Sequence, residues 1–263
     1  MIEIRSSKNQ IIKEIKSLYR RRNRWKNNLY IIEGIKIVDE AISHGIDFKY
    51  ILFTDKLMTT KQGIGIYNKI REKENIIKTN ESIFQEVSDT DNPQGILAVV
   101  KFKERDVELS YSMETPFLLF LDGIQDPGNM GTIIRTGDAF NIDGIILGKG
   151  SVDPYNPKVV RSTMGSIFRT PLYFCGDNIK YLNKVRKSGI SVLTTTMKGK
   201  AIYEGNLGRA LLLVIGNESS GVSQDIVEIS DENVTIPILG KAESLNAGIA
   251  ASIIMYEAMK SRH

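Results

Sequence analysis

Cysteine and histidine are nearly missing from this chain: of 263 residues, one is cysteine (Cys175) and two are histidine (His44 and His263). A single thiol excludes an intramolecular disulfide, and so few soft ligands leave nothing to build a Cys/His zinc site. Cys175 reads as buried packing within a strand. Also absent is any apolar run near the roughly 20 residues needed to cross a bilayer. The polar start, Met1–Gln10, is followed by no apolar stretch of the kind that marks a secretory leader. A cytoplasmic protein without a metal is the expectation. Two nucleotide signatures are missing as well. No G-x-G-x-x-G follows the apolar runs ending at Leu121 and Ile215, and no G-x-x-x-x-G-K-[ST] occurs anywhere, which disfavours dinucleotide-binding and phosphate-loop ATPase readings. No internal repeat or low-complexity tract stands out.

What is present suits one large or two modest globular domains: 263 residues, 41% of them hydrophobic. The net charge of +4 is unevenly spread. Residues 1–30 carry nine Lys/Arg against Glu3 and Glu14, a local net of +7, so the rest of the chain sums to −3. A basic block on a near-neutral body is the footprint of a phosphate-backbone reader. A solvated helix face followed by a basic loop reads equally well from charge alone.

Hydrophobic periodicity divides the chain into two α/β halves. In the first, helices are predicted over Asn9–Tyr19, Gly34–His44, Gly63–Glu72 and Glu81–Val87. Strands are predicted at Leu29–Ile32, Lys49–Phe53, Asn75–Lys78 and Ile96–Phe102. This alternation implies a small three-layer α/β/α domain over 1–103. Residues 104–115, polar and charged, read as a linker. The second half, 116–263, opens with the uninterrupted apolar run Phe117–Leu121, as expected of a parallel strand covered on both faces. Further strands are predicted at Gly144–Leu147, Leu172–Phe174, Ser191–Thr195, Leu211–Ile215 and Val234–Ile236. Helices are predicted over Met130–Phe140, Asn156–Ser166, Ile179–Ser188, Val222–Ile229 and Leu245–Lys260. The second domain is thus a parallel sheet with helices on both faces.

Three segments follow strand ends, where α/β proteins place ligands. In Asp126-Pro127-Gly128-Asn129, strong turn chemistry makes Asn129 a plausible helix cap. Arg135 lies six residues on, and a regular helix would not bring the two side chains to one face. Alone, they read as a cap and a surface cation. In Gly216-Asn217-Glu218-Ser219-Ser220-Gly221, Gly216 permits close approach and Glu218 stands at a strand's carboxyl end. Alone, this is an ordinary strand-to-helix turn. In Ile236-Pro237-Ile238, Pro237 forces the chain off its ladder, and Ser244 or Asn246 is placed to cap a final helix rich in small residues.

Together and in this order, with Arg20–Arg24, Tyr30–Gly34 and Asn92–Val100 in the first half, these segments resemble the SpoU (TrmH-like) RNA ribose 2′-O-methyltransferases of the SPOUT superfamily. The resemblance covers essentially the whole chain. It implies a deep trefoil knot in the second domain, a rarity among chain topologies, and a first domain akin to ribosomal proteins that bind kinked RNA. It implies S-adenosyl-L-methionine as methyl donor, held largely by main-chain groups at Thr195, Thr196, Gly216, Asn217, Gly221, Ile236, Leu245 and Asn246, with no metal. By the same resemblance Arg135 activates or electrostatically stabilises the acceptor, Asn129 and Glu218 orient Arg135 and the ribose, and Ser244 and Asn246 lie beside the acceptor or shape the cofactor loop. RNA would be gripped by Arg20, Arg21, Arg22, Arg24 and Lys26, with Trp25 either stacked on a base or packed on the domain. A homodimer acting on structured RNA is implied, with large-subunit ribosomal RNA foremost. Transfer-RNA ribose methylation, a non-catalytic RNA-binding knotted dimer and a knotted base methylase are the alternatives.

Overall fold

A computed structural model describes residues 2–112, 114–205 and 207–262. Met113, within the expected linker, and His263 lie outside the described residues. In chain order the elements are β1 (Ile2–Ile4), α1 (Gln10–Ser17), α2 (Arg21–Asn27), β2 (Leu29–Glu33), α3 (Ile35–Ser43), β3 (Phe48–Phe53), α4 (Lys61–Ile70), β4 (Ile76–Thr79), α5 (Glu81–Val87) and β5 (Ile96–Lys101). There follow β6 (Phe117–Asp122), α6 (Pro127–Ala139), β7 (Gly144–Leu147), α7 (Pro157–Ser162), β8 (Leu172–Phe174) and α8 (Asn178–Lys187). The last are β9 (Ser191–Ala201), β10 (Leu211–Gly216), α9 (Gln224–Ile229), β11 (Glu232–Thr235) and α10 (Ala247–Arg262). Two compact units result: Met1–Lys103 with Tyr155–Phe168, and Glu104–Pro154 with Arg169–His263.

The first unit is built on a mixed sheet of order β1-β4-β3-β5-β2. β1, β4 and β3 run parallel, whereas β5 is antiparallel to both β3 and β2. Helices α1 and α5 close one face. Ile12 and Ile15, one turn apart on α1, join Phe84 and Val87 of α5 and Leu97 and Val99 of β5 in one buried cluster. Asn9 caps α1 by accepting from Ile11 N at 2.8 Å, and Asn80 caps α5 by accepting from Ile83 N at 2.9 Å. Two elements were not expected. β1 adds to the edge beside β4, with Thr79 Oγ1 donating to Ile4 O at 2.9 Å. The basic stretch taken for a loop is helix α2, closed by Asn28 in the left-handed region at φ 53°.

In the second unit six strands are all parallel, in the order β11-β9-β10-β6-β7-β8. β6 is buried at every position, and β10 at all but Gly216, as continuous apolar runs demand. The stretch read as a linker packs here: it forms a 3₁₀ turn at Val107–Tyr111, and Ser110 Oγ lies 2.7 Å from Tyr181 Oη. Cys175 follows β8 rather than lying in it and is only partly buried; burial pushes its thiol up to about 11. One irregularity matters for the site. The β9–β11 register jumps from Thr194 opposite Asn233 to Lys200 opposite Val234, so residues 195–199 bulge out of the ladder.

Candidate active site

All three sequence segments meet in the second unit. The β6–α6 loop is fixed by Asp126, whose carboxylate caps α6 through Asn129 N at 2.8 Å, with Pro127 in the first turn. Asn129 is therefore not the cap; it lies inside the first turn, 6% exposed. The signal was the Asp-Pro step itself, a cap followed by the one residue that needs no amide partner. The freed Asn129 side chain links the other two segments. Its Nδ2 donates to Glu218 Oε1 at 2.9 Å, and its Oδ1 accepts from Asn246 Nδ2 at 2.8 Å. Asn246 in turn caps α10, accepting from Ile249 N at 3.2 Å.

Glu218 is the hub. Besides Asn129, its oxygens accept from Gln125 N at 3.1 Å and Asp126 N at 3.0 Å. Partial burial acts to raise its pKa, but the hydrogen bonds from Asn129 and the amides of Asp126, Gln125 and its own residue outweigh it and hold the carboxyl below its ordinary value. Asn217 shapes the same turn: its Oδ1 accepts from Ser219 N at 3.0 Å and Ser220 N at 3.2 Å, while its Nδ2 donates to Gly123 O at 2.7 Å. Asn217 and Gly221 exchange main-chain hydrogen bonds, both 3.0 Å. This closure requires Gly216, because a Cβ there would stand 2.2 Å from Gly221 C and Val222 N. Asp122, which sequence reasoning passed over, holds the far end of the turn by accepting from Ser223 N at 2.8 Å. Nothing in its local sequence distinguishes it from any strand-end acid.

Beside this network lies a cavity of about 670 Å³, within the range of small-ligand sites. Of the eight residues expected to hold the donor, Thr195, Thr196, Gly216, Asn217, Gly221, Ile236 and Leu245 line it; Asn246 does not. Thr195 and Thr196 arrive through the bulge in β9. Of the residues expected to do chemistry, Glu218 and Ser244 line the cavity, and Asn129 and Asn246 are hydrogen-bonded to its rim. Arg135 is not brought to it. It is exposed on α6 and makes no hydrogen bond or ion pair among the described residues. Neither Asn129 nor Glu218 orients it within this chain, because Arg135 lies six positions along the helix from Asn129, which turns it to another face.

The cavity suits a donor read by main chain. Ile215, Ile236, Ile238 and Leu245 supply apolar surface. Among the described residues, no main-chain group of residues 237–245 takes part in a hydrogen bond, so those at Ile238, Glu243, Ser244 and Leu245, which line the cavity, are open to a ligand. No group of three or more His, Cys, Asp or Glu side chains among the described residues is arranged to hold a metal.

The small residues of α10 serve packing against α6: a Cβ on Gly248 would lie 3.2 Å from Thr132 Cβ, and Ser252 Oγ lies 3.0 Å from Thr136 Oγ1. Ile249 and Tyr256 do not point inward; they are 51% and 47% exposed.

In the first unit, Arg20, Arg21, Arg22 and Lys26 are exposed. Arg24 departs from the expectation of a phosphate contact. It is 2% exposed, and its Nη1 donates to Leu18 O at 2.8 Å and Tyr19 O at 3.0 Å, closing the end of α1. Trp25 packs edge-on against Phe102 at 5.3 Å and Tyr155 at 6.1 Å.

Comparison with known proteins places these features in a family. Residues 116–256 match the SpoU rRNA Methylase family, and residues 9–98 match the MRM3-like substrate binding domain. The chain is 34% identical, over 97% of its length and 98% of the relative's, to the 23S rRNA (guanosine(2553)-2'-O)-methyltransferase RlmP of Bacillus subtilis (strain 168). It is 28% identical to the 23S rRNA (uridine(2479)-2'-O)-methyltransferase of Streptomyces viridochromogenes, covering 98% of this chain and 92% of that one. Among solved structures, the AdoMet-bound rRNA methyltransferase from Sinorhizobium meliloti matches with a TM-score of 0.87 at 28% identity, over 98% of this chain and 97% of that one. The chain belongs to the SpoU rRNA methylase family.

Proposed function

We propose that this protein transfers a methyl group from S-adenosyl-L-methionine to a ribose 2′-hydroxyl of structured RNA, with large-subunit ribosomal RNA as substrate. One observation carries the reading: three distant loops close on one cavity through the chain Glu218–Asn129–Asn246, in a member of a family whose relatives are named for this reaction. When bound, the donor supplies an electrophilic methyl on a sulfonium. The protein's part is to hold donor and acceptor in line, which can account for much of the acceleration.

Residues 195–196, 216–221 and 236–245 hold the donor, chiefly through main chain, with Asn246 fixing the last loop by capping α10. Asn129 and Glu218 form the rim against which the ribose is oriented, and Ser244 lies beside the acceptor. Arg135 presents a planar guanidinium whose fork of N–H donors matches a phosphate. Its exposed, uncommitted guanidinium suits a grip on the adjacent phosphate and stabilisation of the developing alkoxide. Such a site is completed by a second copy. The exposed apolar residues Leu245, Ile249 and Tyr256 at and along α10 support a homodimer. Packing of the last helix onto α6 supports a trefoil knot formed by the C-terminal segment. The first unit, through its exposed arginines, is the RNA-binding domain. No helix among the described residues is long and apolar enough to cross a membrane, and a ribosomal-RNA substrate supports a cytoplasmic location.

Mapping 2′-O-methyl groups in total RNA, with and without the gene, tests the assignment. A site in large-subunit ribosomal RNA that disappears with the gene is expected. Loss of a transfer-RNA site instead would overturn the substrate, and loss of no site despite donor binding would favour a non-catalytic RNA-binding protein.

A further inference from the structure

Residues 155–168 belong by sequence to the methyltransferase half, yet they pack with the first unit. Aromatic contact ties them there. The Tyr155 ring stacks on Phe102 at 4.0 Å and lies 4.8 Å from Tyr30 and 6.1 Å from Trp25. Asn156 caps α7 by accepting from Lys158 N at 2.9 Å, and Pro157 opens its first turn. α7 then packs on β2, the edge strand on which α2 also packs. Since Trp25 belongs to α2 and Tyr155 leads into α7, the two helices meet along one edge of the sheet.

This edge is cationic from both sides. α2 and its cap expose Arg20, Arg21, Arg22 and Lys26. α7 adds Lys158 and Arg161, three residues apart and so on one helical face. Residues 155–168 contain no acidic side chain. Lys158 is exposed, and its ammonium has no partner among the described residues. Arg161 is one-third exposed and donates from Nη1 alone, to Asp89 Oδ2 at 2.8 Å. The rest of its planar fork is uncommitted among the described residues. Asp89 stands two residues from Val87, whose carbonyl accepts from Tyr19 Oη at 2.6 Å, and Tyr19 immediately precedes Arg20.

We infer that α7 is a second arm of the RNA-binding surface, in which Lys158 and Arg161 contact backbone phosphates alongside the α2 cations. The inference rests on the RNA-methyltransferase reading and extends it: the surface that grips RNA is assembled from both halves of the sequence. Arg guanidinium is suited to such a contact because one edge can hold Asp89 while another meets a phosphate.

The test uses the full-length protein and deproteinised large-subunit ribosomal RNA, with affinity measured at several salt concentrations. Replacing both cations (K158Q with R161Q) is expected to weaken binding about three- to tenfold. The log–log salt dependence should become shallower by about 1.4–1.8, from two lost phosphate contacts. Donor affinity by calorimetry should be unchanged. Asp89→Asn separates the readings, since it breaks the ion pair but keeps the cation. Affinity equal to or tighter than wild type is expected; a loss matching that of R161Q would make Arg161 a structural tie and overturn the inference. Lys158→Gln alone touches no side-chain partner, so misfolding cannot mask its effect, and a salt dependence shallower by about 0.7–0.9 is expected. Unchanged affinity and slope in these variants, with a wild type that binds and methylates, would sink the inference while leaving the enzymatic reading intact. A wild type that neither binds nor methylates RNA would sink both.

Discussion

The cavity of the second unit, proposed for the donor, and the cationic edge of the first solve opposite problems. Around the cavity, polar side chains are used up on one another: Glu218 accepts from Asn129 and two amides, and Asn217 Oδ1 from two more. Those bonds fix the loops, while Ile238, Glu243, Ser244 and Leu245 line the cavity with main-chain groups that make no hydrogen bond among the described residues. Along α2, by contrast, the cations other than Arg24 stand exposed, and Arg24 is committed to the fold through two carbonyls. A small donor of constant shape rewards a site built before it arrives. A polymer held by its phosphates rewards charge that can adapt.

Breaking the rigid side should have the largest effect. Gly216→Ala puts a methyl 2.2 Å from the main chain of Gly221 and Val222, so the turn must open. Donor affinity measured by calorimetry should fall about 100-fold or more, as a displacement of about 1 Å can cost that much. Near-normal affinity would mean the donor sits elsewhere.

The adaptable side divides internally. Changing Arg20, Arg21, Arg22 and Lys26 together to Gln should lower RNA affinity and flatten its salt dependence by about 3, without touching donor binding. Arg24→Ala should instead cost about 1–3 kcal/mol of stability in denaturant unfolding, because two carbonyls at the end of α1 lose a buried charged donor. Arg22→Ala, at an exposed position, should stay within about 0.5 kcal/mol. Equal stability losses in both variants would erase the distinction between the structural and the exposed arginine.

The smallest effect concerns pH. Glu218 is held below its ordinary pKa in the fold, so its contribution is fully present above the usual glutamate value. It is lost as pH falls below about 4 and through the folded pKa. Glu218→Gln should remove that part of the acid dependence of unfolding. An unchanged acid limb would show that the carboxylate charge contributes nothing to the loop.

Strands and helices bounded by turn residues were readable from the chain. β7, β8 and α5 fall at Gly144–Leu147, Leu172–Phe174 and Glu81–Val87, where apolar spacing places them. The Asn129–Arg135 spacing also spoke truly, since one side chain is buried and the other exposed. What escaped was set by tertiary contact. α2 has Trp25 as its only large apolar residue, so no periodicity announces it; its packing on β2 and the buried Arg24 bonds hold it. Residues 155–168 carry a helix signal but no mark of the unit they join, because that choice lies in the Tyr155–Phe102 stack. The excursion at 195–199 depends on where β11 pairs, which is invisible within β9 itself.

Arg135 offers the most direct test of the central claim, that donor binding and acceptor chemistry reside in separate parts of the site. Donor affinity and single-turnover methylation of ribosomal RNA should be measured side by side for Arg135→Ala. The side chain is exposed, lines no part of the donor cavity and makes no bond within the chain. Donor affinity should therefore match wild type while the rate falls about 100-fold or more, as for loss of a donor to a developing oxyanion. Retained turnover, or donor binding lost together with it, would contradict the account.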